Sequence, residues 1–158
     1  MSAGVSPASA PHSTVHASAV LAGARAVLIR GPSGAGKSRL ALDLISASAT
    51  GRLRFARLVA DDRAEIEAVA GRLLVRPAPP LAGQIEVRGL GIRRLPFEPV
   101  ALVGLVVDLA ADDAQRLPEP ERARTTLAGV TLPRLAVAPG EPALPLVIAA
   151  LHLAESGA

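Results

Sequence analysis

Cysteine, tryptophan and tyrosine are absent from this chain, and lysine and phenylalanine nearly so. Without cysteine there are no disulfides and no thiolate metal sites, which fits a reducing compartment; a cytoplasmic location is the expectation. Phe55 and Phe97 are the only aromatic residues, so the core must be built from Ala, Val, Leu and Ile. The same shortage argues against nucleic-acid binding by stacking bases on aromatic platforms. Long apolar runs are missing too. Val100–Val107 and Leu144–Leu151 fall short of the roughly 18–20 residues that span a bilayer, so no membrane partner is expected. Net charge is only +3, and the pI near 10.9 reflects arginine in place of lysine. Those arginines are scattered and read mostly as solvated surface. Met1–Ser13 is small and polar, with no basic stretch followed by an apolar one. It reads as a frayed tail, residues 1–13, and not as a signal peptide.

The one lysine is Lys37, and it sits in Gly31-Pro32-Ser33-Gly34-Ala35-Gly36-Lys37-Ser38. This fits G-x-x-x-x-G-K-[ST], the phosphate-binding loop. A slim point charge reaches between the β- and γ-phosphates where a planar guanidinium does not fit. Ala26–Ile29 before the loop suits a buried strand, and Arg39–Ile45 after it suits a helix. Strand, glycine loop and helix give the motif its context. Backbone N–H groups at the helix start would cradle phosphates, and the Ser38 hydroxyl would hold Mg²⁺.

At 158 residues the chain makes one domain, residues 14–158 beyond the tail. The residue pattern predicts a strand over Thr14–Leu21, a turn at Ala22–Arg25 and a second strand over Ala26–Arg30. A helix is expected from about Lys37 to Ala47, then a polar connection over Thr50–Arg57. Leu58–Ala60 reads as a short buried strand ending at Asp61-Asp62. Alternation in Ala64–Ala70, a turn at Gly71-Arg72 and Leu73–Val75 predict a hairpin. Val100–Asp108 reads as a central strand, Asp112–Arg124 as a loop or short helix and Leu135–Val137 as a last strand. A helix follows over Glu141–Glu155. The fold class is α/β, with a mixed sheet around the P-loop helix.

Three more clusters bear on chemistry. Asp61-Asp62 ends an apolar strand, where P-loop enzymes place a Mg²⁺ contact and where a second carboxylate could act as base. The pair could equally start a turn, which aspartate favours. Glu86-Val87-Arg88-Gly89-Leu90-Gly91-Ile92 has two glycines that let backbone approach a ligand or a neighbouring subunit; the alternative is a bulge or turn. His16 lies on the strand before the P-loop, either structural or part of the site.

In this order the clusters resemble the HPr kinase/phosphorylase family. The resemblance runs from about Ser13 to the C-terminus and includes a stretch, Glu86–Ile92, similar to that family's signature. It implies a fold like that of phosphoenolpyruvate carboxykinase, and the short form that carries the catalytic domain alone. It implies ATP and Mg²⁺ as cofactors, an HPr-type phosphocarrier protein as substrate, phosphorylated on serine, and a homohexamer. Residue by residue, it matches Lys37 and Ser38 to phosphate and Mg²⁺ contact and His16 to the family's strand histidine. One of Asp61 and Asp62 matches the base, and Glu86 the metal-linked acid. Arg116 matches best a catalytic arginine. The family's Pro-Gly loop is flanked by arginines and tied to dephosphorylation. Here the stretch is Ala138-Pro139-Gly140-Glu141, without them, which questions phosphorylase more than kinase activity. Two other classes fit the residues: a small P-loop kinase acting on a metabolite, and a non-catalytic nucleotide-binding regulator.

Overall fold

A computed structural model of the chain describes residues 12–155. Eleven strands and two helices make up these residues. In chain order the strands are β1 His12–Val15, β2 Ala17–Ala22, β3 Arg25–Arg30, β4 Ala56–Ala60, β5 Ala64–Val69 and β6 Arg72–Pro77. They continue as β7 Gln84–Val87, β8 Gly91–Arg94, β9 Ala101–Asp108, β10 Arg124–Leu127 and β11 Val130–Ala136. Helix α1 spans Lys37–Ala49 and α2 spans Ala143–Glu155.

The main sheet runs β1-β5-β6-β9-β3-β2-β4, with β11 also on β9 and β10 on β11; β7 and β8 form a separate hairpin. β9 pairs in parallel with β3 and with β11. β2 is antiparallel to both β3 and β4, so β4 points the same way as β3. Four strands, β4, β3, β9 and β11, therefore bring their carboxyl ends to one rim. The P-loop leaves β3 at that rim, and Asp61 leaves β4 there.

β3 shows why its sequence is apolar throughout. Alternate side chains of a strand point to opposite faces. Ala26 and Leu28 enter one core cluster with Ile66, Leu73, Val75 and Val106. Val27 and Ile29 enter the other, where Leu40 and Leu44 of α1 and Val147 and Ile148 of α2 pack. A strand covered on both faces has no position for a polar residue. Each aliphatic side chain buried this way stabilises the fold by about 1.5–3 kcal/mol. None of the helices among the described residues is long and apolar enough to cross a membrane.

The central strand, the hairpin over 64–77 and the P-loop helix form as the sequence predicts. Four expectations change. The single strand over Thr14–Leu21 breaks at His16: β1 pairs with β5, while β2 pairs with β3 and β4. His12 and Ser13, read as tail, pair with Glu67 and Ile66, while residues 1–11 of that tail lie outside the described residues. The charged stretch is loop and a short 3-10 turn, Pro120–Ala123, as expected, but at Arg124 it enters an unforeseen strand, β10, which pairs with a last strand longer than expected. The C-terminal helix starts at Ala143, after Pro142.

Candidate functional site

Residues 31–38 wrap the start of α1. Gly36 is the residue before the helix and holds φ at +100°, a conformation that side chains resist. A Cβ on Gly31 would lie 3.1 Å from Leu109 Cβ and 3.2 Å from the Leu109 carbonyl oxygen, so the loop passes tightly over the end of β9. Lys37 is the first residue of α1 and is 8% exposed. Its Nζ donates to the Gly31 carbonyl at 2.9 Å and the Pro32 carbonyl at 3.4 Å. The ammonium thus lies across the mouth of the loop, and the helix N-terminus adds its unpaired N–H groups.

Asp61 is the hub of the site. It is 7% exposed and accepts three hydrogen bonds. Ser38 Oγ donates to its Oδ1 at 2.6 Å and Ser18 Oγ to the same oxygen at 2.8 Å. The Glu86 backbone N–H donates to Oδ2 at 3.0 Å. Those bonds tie four segments together: β2, the P-loop helix, the end of β4 and β7. A buried carboxylate is tolerated when its lone pairs are filled this way.

Asp62 is different. Its side chain is exposed and its φ is +65°. Its N–H donates to Ser18 Oγ at 3.1 Å, so the same serine that holds Asp61 also fixes the turn at Asp62. The pair does form a turn at Asp62, and the same turn sets Asp61 against the P-loop serine. Ser18 is fully buried and went unnoticed in the sequence. Its signal is a lone hydroxyl in Ala17-Ser18-Ala19-Val20, since a buried polar group needs a partner.

Glu86–Ile92 is a β-hairpin whose turn carries Arg88, Gly89 and Leu90. Glu86 reaches the site through its backbone, and its side chain is exposed. His16 is exposed at the bend between β1 and β2, two residues from Ser18. Arg116 is exposed in the segment after β9, and no described hydrogen bond joins it to the P-loop or the Asp pair. The structure brings Lys37, Ser38, Asp61 and the Glu86 backbone together; it does not join His16 or Arg116 to them.

Below the rim lies an ion-pair network. Arg30, the last residue of β3, donates to both carboxylate oxygens of Asp108 at 2.7 and 2.9 Å. Arg134 on β11 donates to Asp108 at 2.6 Å and to Asp113 at 2.8 and 2.9 Å. Burial alone would raise the Asp108 pKa, but hydrogen bonds from Arg30 and Arg134 outweigh it and hold the carboxyl below its ordinary range. The network braces the strand ends that support the loop.

Beside the P-loop a cavity of about 470 Å³ opens between α1 and the segment that joins β11 to α2.

Comparison with known proteins bears on the whole arrangement. The family model described as HPr serine kinase C-terminal domain matches residues 8–96. An HPr kinase/phosphorylase of Clostridium beijerinckii is 41% identical over 83 residues, covering 52% of this chain and 25% of that protein. One from Bordetella petrii is 44% identical over 84 residues, with 52% and 25% covered. The matched stretch spans about a quarter of the length of these curated relatives. A solved structure, the Hpr(Ser) kinase/phosphatase from Coxiella burnetii, superimposes with a TM-score of 0.72 over 92% of both chains at 23% sequence identity. That likeness speaks to the fold, and at 92% of the chain it reaches beyond the residues that the family model matches. With more than half of its residues inside the family model, the chain belongs to the HPr serine kinase C-terminal domain family.

Proposed function

We propose that the chain is an ATP-dependent kinase that phosphorylates a seryl residue of an HPr-type phosphocarrier protein. The observation that carries this reading is the 2.6 Å hydrogen bond from Ser38 to Asp61. It joins the P-loop hydroxyl to a strand-end carboxylate, and an exposed second carboxylate follows directly. The phosphates of ATP would lie on Gly31, Pro32, Ser33, Gly34, Ala35 and Gly36 and against Lys37 and Ser38. Lys37 would place its charge between the β- and γ-phosphates.

The side-chain groups that meet at Ser38 are oxygens, its own hydroxyl and the Asp61 carboxylate, and Glu86 would add its carboxylate from β7. This is the chemistry Mg²⁺ prefers. Among the described residues no three His, Cys, Asp or Glu side chains gather into a metal cage. That suits an ion held through one or two protein groups and substrate phosphates. When bound, Mg²⁺ supplies neutralisation of phosphate charge.

Asp61, with three hydrogen bonds, serves as an anchor that orients Ser38. Asp62 is exposed, fixed in its turn by Ser18, and serves as the base that accepts the seryl proton and aims the oxygen for in-line attack. His16 and Arg116 enter as groups that the carrier protein meets on the open side of the site. Catalysis here is positioning and charge stabilisation. The protein works in the cytoplasm and assembles as a homohexamer, which would cover Leu90 and Ile92, 60% and 63% exposed on the β7–β8 hairpin.

The test is Lys37→Ala. With ATP, Mg²⁺ and an HPr-type protein, it should lose serine phosphorylation while its circular dichroism stays that of the wild type. Near-normal turnover would refute the P-loop assignment.

A further inference from the structure

Resting on the kinase reading, we infer that Arg134 is the positioning residue of an acceptor-binding loop: it closes the neck of the loop between Asp113 and Arg122 and ties that neck to the strand that carries the P-loop. Residues 115–122 are all exposed. Leu117, at 82%, is the most open large apolar side chain among the described residues. A stretch with no buried residue has no core contact to hold its shape. Arg134 holds it instead. Its Nη1 donates to Asp113 at 2.8 Å and to the Arg122 carbonyl at 3.0 Å, and its Nη2 donates to Asp113 at 2.9 Å. One guanidinium thus joins both ends of the loop and gives it an Ω shape. Inside the loop the Glu119 N–H donates to Gln115 Oε1 at 3.4 Å, and Pro118 and Pro120 remove backbone freedom.

The same guanidinium also faces inward. Its Nε donates to Asp108 at 2.6 Å, and Asp108 accepts as well from Nε and Nη2 of Arg30, the residue directly before Gly31. Asp108 ends β9, the parallel neighbour of β3. Three ion pairs therefore run from the stem of the P-loop to the neck of the exposed loop. Stability does not explain the outer one. The Asp113 side chain is 35% exposed, and an ion pair that open adds little to a fold. Fixing a surface loop also costs conformational entropy that no burial returns here. Recognition does explain it, because a loop ordered in advance meets a partner with no further ordering cost. Both ends of the loop lie at the rim where the P-loop sits. One follows the end of β9, and the other precedes Arg124, which pairs with Pro133 near the end of β11. At its middle the loop presents apolar Leu117 beside cationic Arg116. A protein serine acceptor arriving at the rim meets both, at a distance from the phosphates set through Arg134, Asp108 and Arg30.

Steady-state kinetics of the full chain with ATP, Mg²⁺ and an HPr-type carrier tests this, with calorimetric ATP titration and Tm measured alongside. Asp113→Ala cuts the outer ion pair and leaves Arg134 on Asp108. Its KM for the carrier should rise at least about tenfold, while kcat and ATP affinity stay within about twofold of the wild type. Its Tm should stay within about 2 °C. Asp113→Glu keeps the carboxylate and should recover most of the lost affinity. Arg134→Lys offers one point charge where a fork held two carboxylates, and should raise KM as Asp113→Ala does. Leu117→Ser should raise KM too, and its effect should vanish in the Asp113→Ala background, since residues that act through one loop do not add. A wild-type KM in Asp113→Ala, or additive effects of Asp113→Ala and Leu117→Ser, overturns the inference and leaves the kinase reading standing. So does a joint loss of kcat and Tm in Asp113→Ala, the mark of a brace that serves the fold alone. A wild-type chain that binds ATP and leaves the carrier unmodified removes the kinase reading, and this inference with it.

Discussion

Replacing Asp61 with asparagine preserves the size of the side chain and removes its charge. Three donors converge on Asp61: the hydroxyls of Ser18 and Ser38 and the Glu86 N–H. An amide offers one acceptor oxygen and two N–H groups in their place. If its oxygen faces Glu86, its NH₂ faces two hydroxyls that must both turn to accept. Ser18 Oγ already accepts from the Asp62 N–H. If its oxygen faces the hydroxyls, its NH₂ meets the Glu86 N–H head on, and a buried donor goes unpaired. An unsatisfied buried group costs about 1–3 kcal/mol, and the loss of charge assistance adds to it, so a destabilisation of about 2–4 kcal/mol is expected. For a chain of this size that lowers Tm by roughly 5–15 °C. Asp62→Asn should behave in the opposite way. Asparagine tolerates the left-handed conformation that position 62 adopts, and its side chain is exposed, so stability should change by less than about 0.5 kcal/mol. Its serine phosphorylation should fall by about 10²-fold or more, the scale of a positioned base. Thermal denaturation followed by circular dichroism, paired with a transfer assay, reads both. An Asp61→Asn protein as stable as the wild type, or an Asp62→Asn protein with full turnover, would refute the division of roles.

Three further outcomes are expected. The Asp108 pKa is lowered by Arg30 and Arg134, so its contribution is present above the unfolded value near 3.9 and is lost as pH falls through the lower folded value. Asp108→Asn should therefore cost about 1–3 kcal/mol at pH 7, and its Tm gap from the wild type should close below about pH 4; a gap independent of pH would contradict the network. Phosphate-driven dephosphorylation of the carrier should be at least about tenfold slower than phosphorylation, because Glu141 stands where the family resemblance implies a cation, and like charges repel at short range. Arg134 is held away from that role, since four of its five N–H donors are committed to Asp108, Asp113 and the Arg122 carbonyl; pyrophosphate release as fast as the forward reaction would defeat this. Light scattering should report a hexamer that Ile92→Glu weakens, and a stable, active monomeric wild type would remove the claim.

The local parts of this site could be read from the chain directly. A strand, a glycine loop and a helix with Lys37 at its start are encoded within about one contiguous stretch, 26–49, so no long-range pairing is needed to see them. Asp61-Asp62 was visible for the same reason, as charges at the end of an apolar run. What stayed hidden depends on distant pairings. The break at His16 is invisible in Thr14–Leu21 because both halves are strand; only the partners, β5 on one side and β3 with β4 on the other, divide them. β10 was hidden by its charged approach, and it forms because β11 offers it an edge. The Arg30–Asp108 pair joins residues at two strand ends, and nothing local says that β3 and β9 are neighbours. The cavity beside the P-loop needs the same information, since its two walls lie about a hundred residues apart.

The central claim is phosphoryl transfer from ATP to a protein serine, and mass spectrometry of the intact acceptor tests it most directly. The purified chain is incubated with ATP, Mg²⁺ and an HPr-type carrier. The account predicts a gain of one phosphoryl group, on one serine, absent with Lys37→Ala and strongly slowed with Asp62→Asn. An unmodified carrier, with ATP still bound by the wild-type protein, would contradict it and leave a nucleotide-binding regulator in its place.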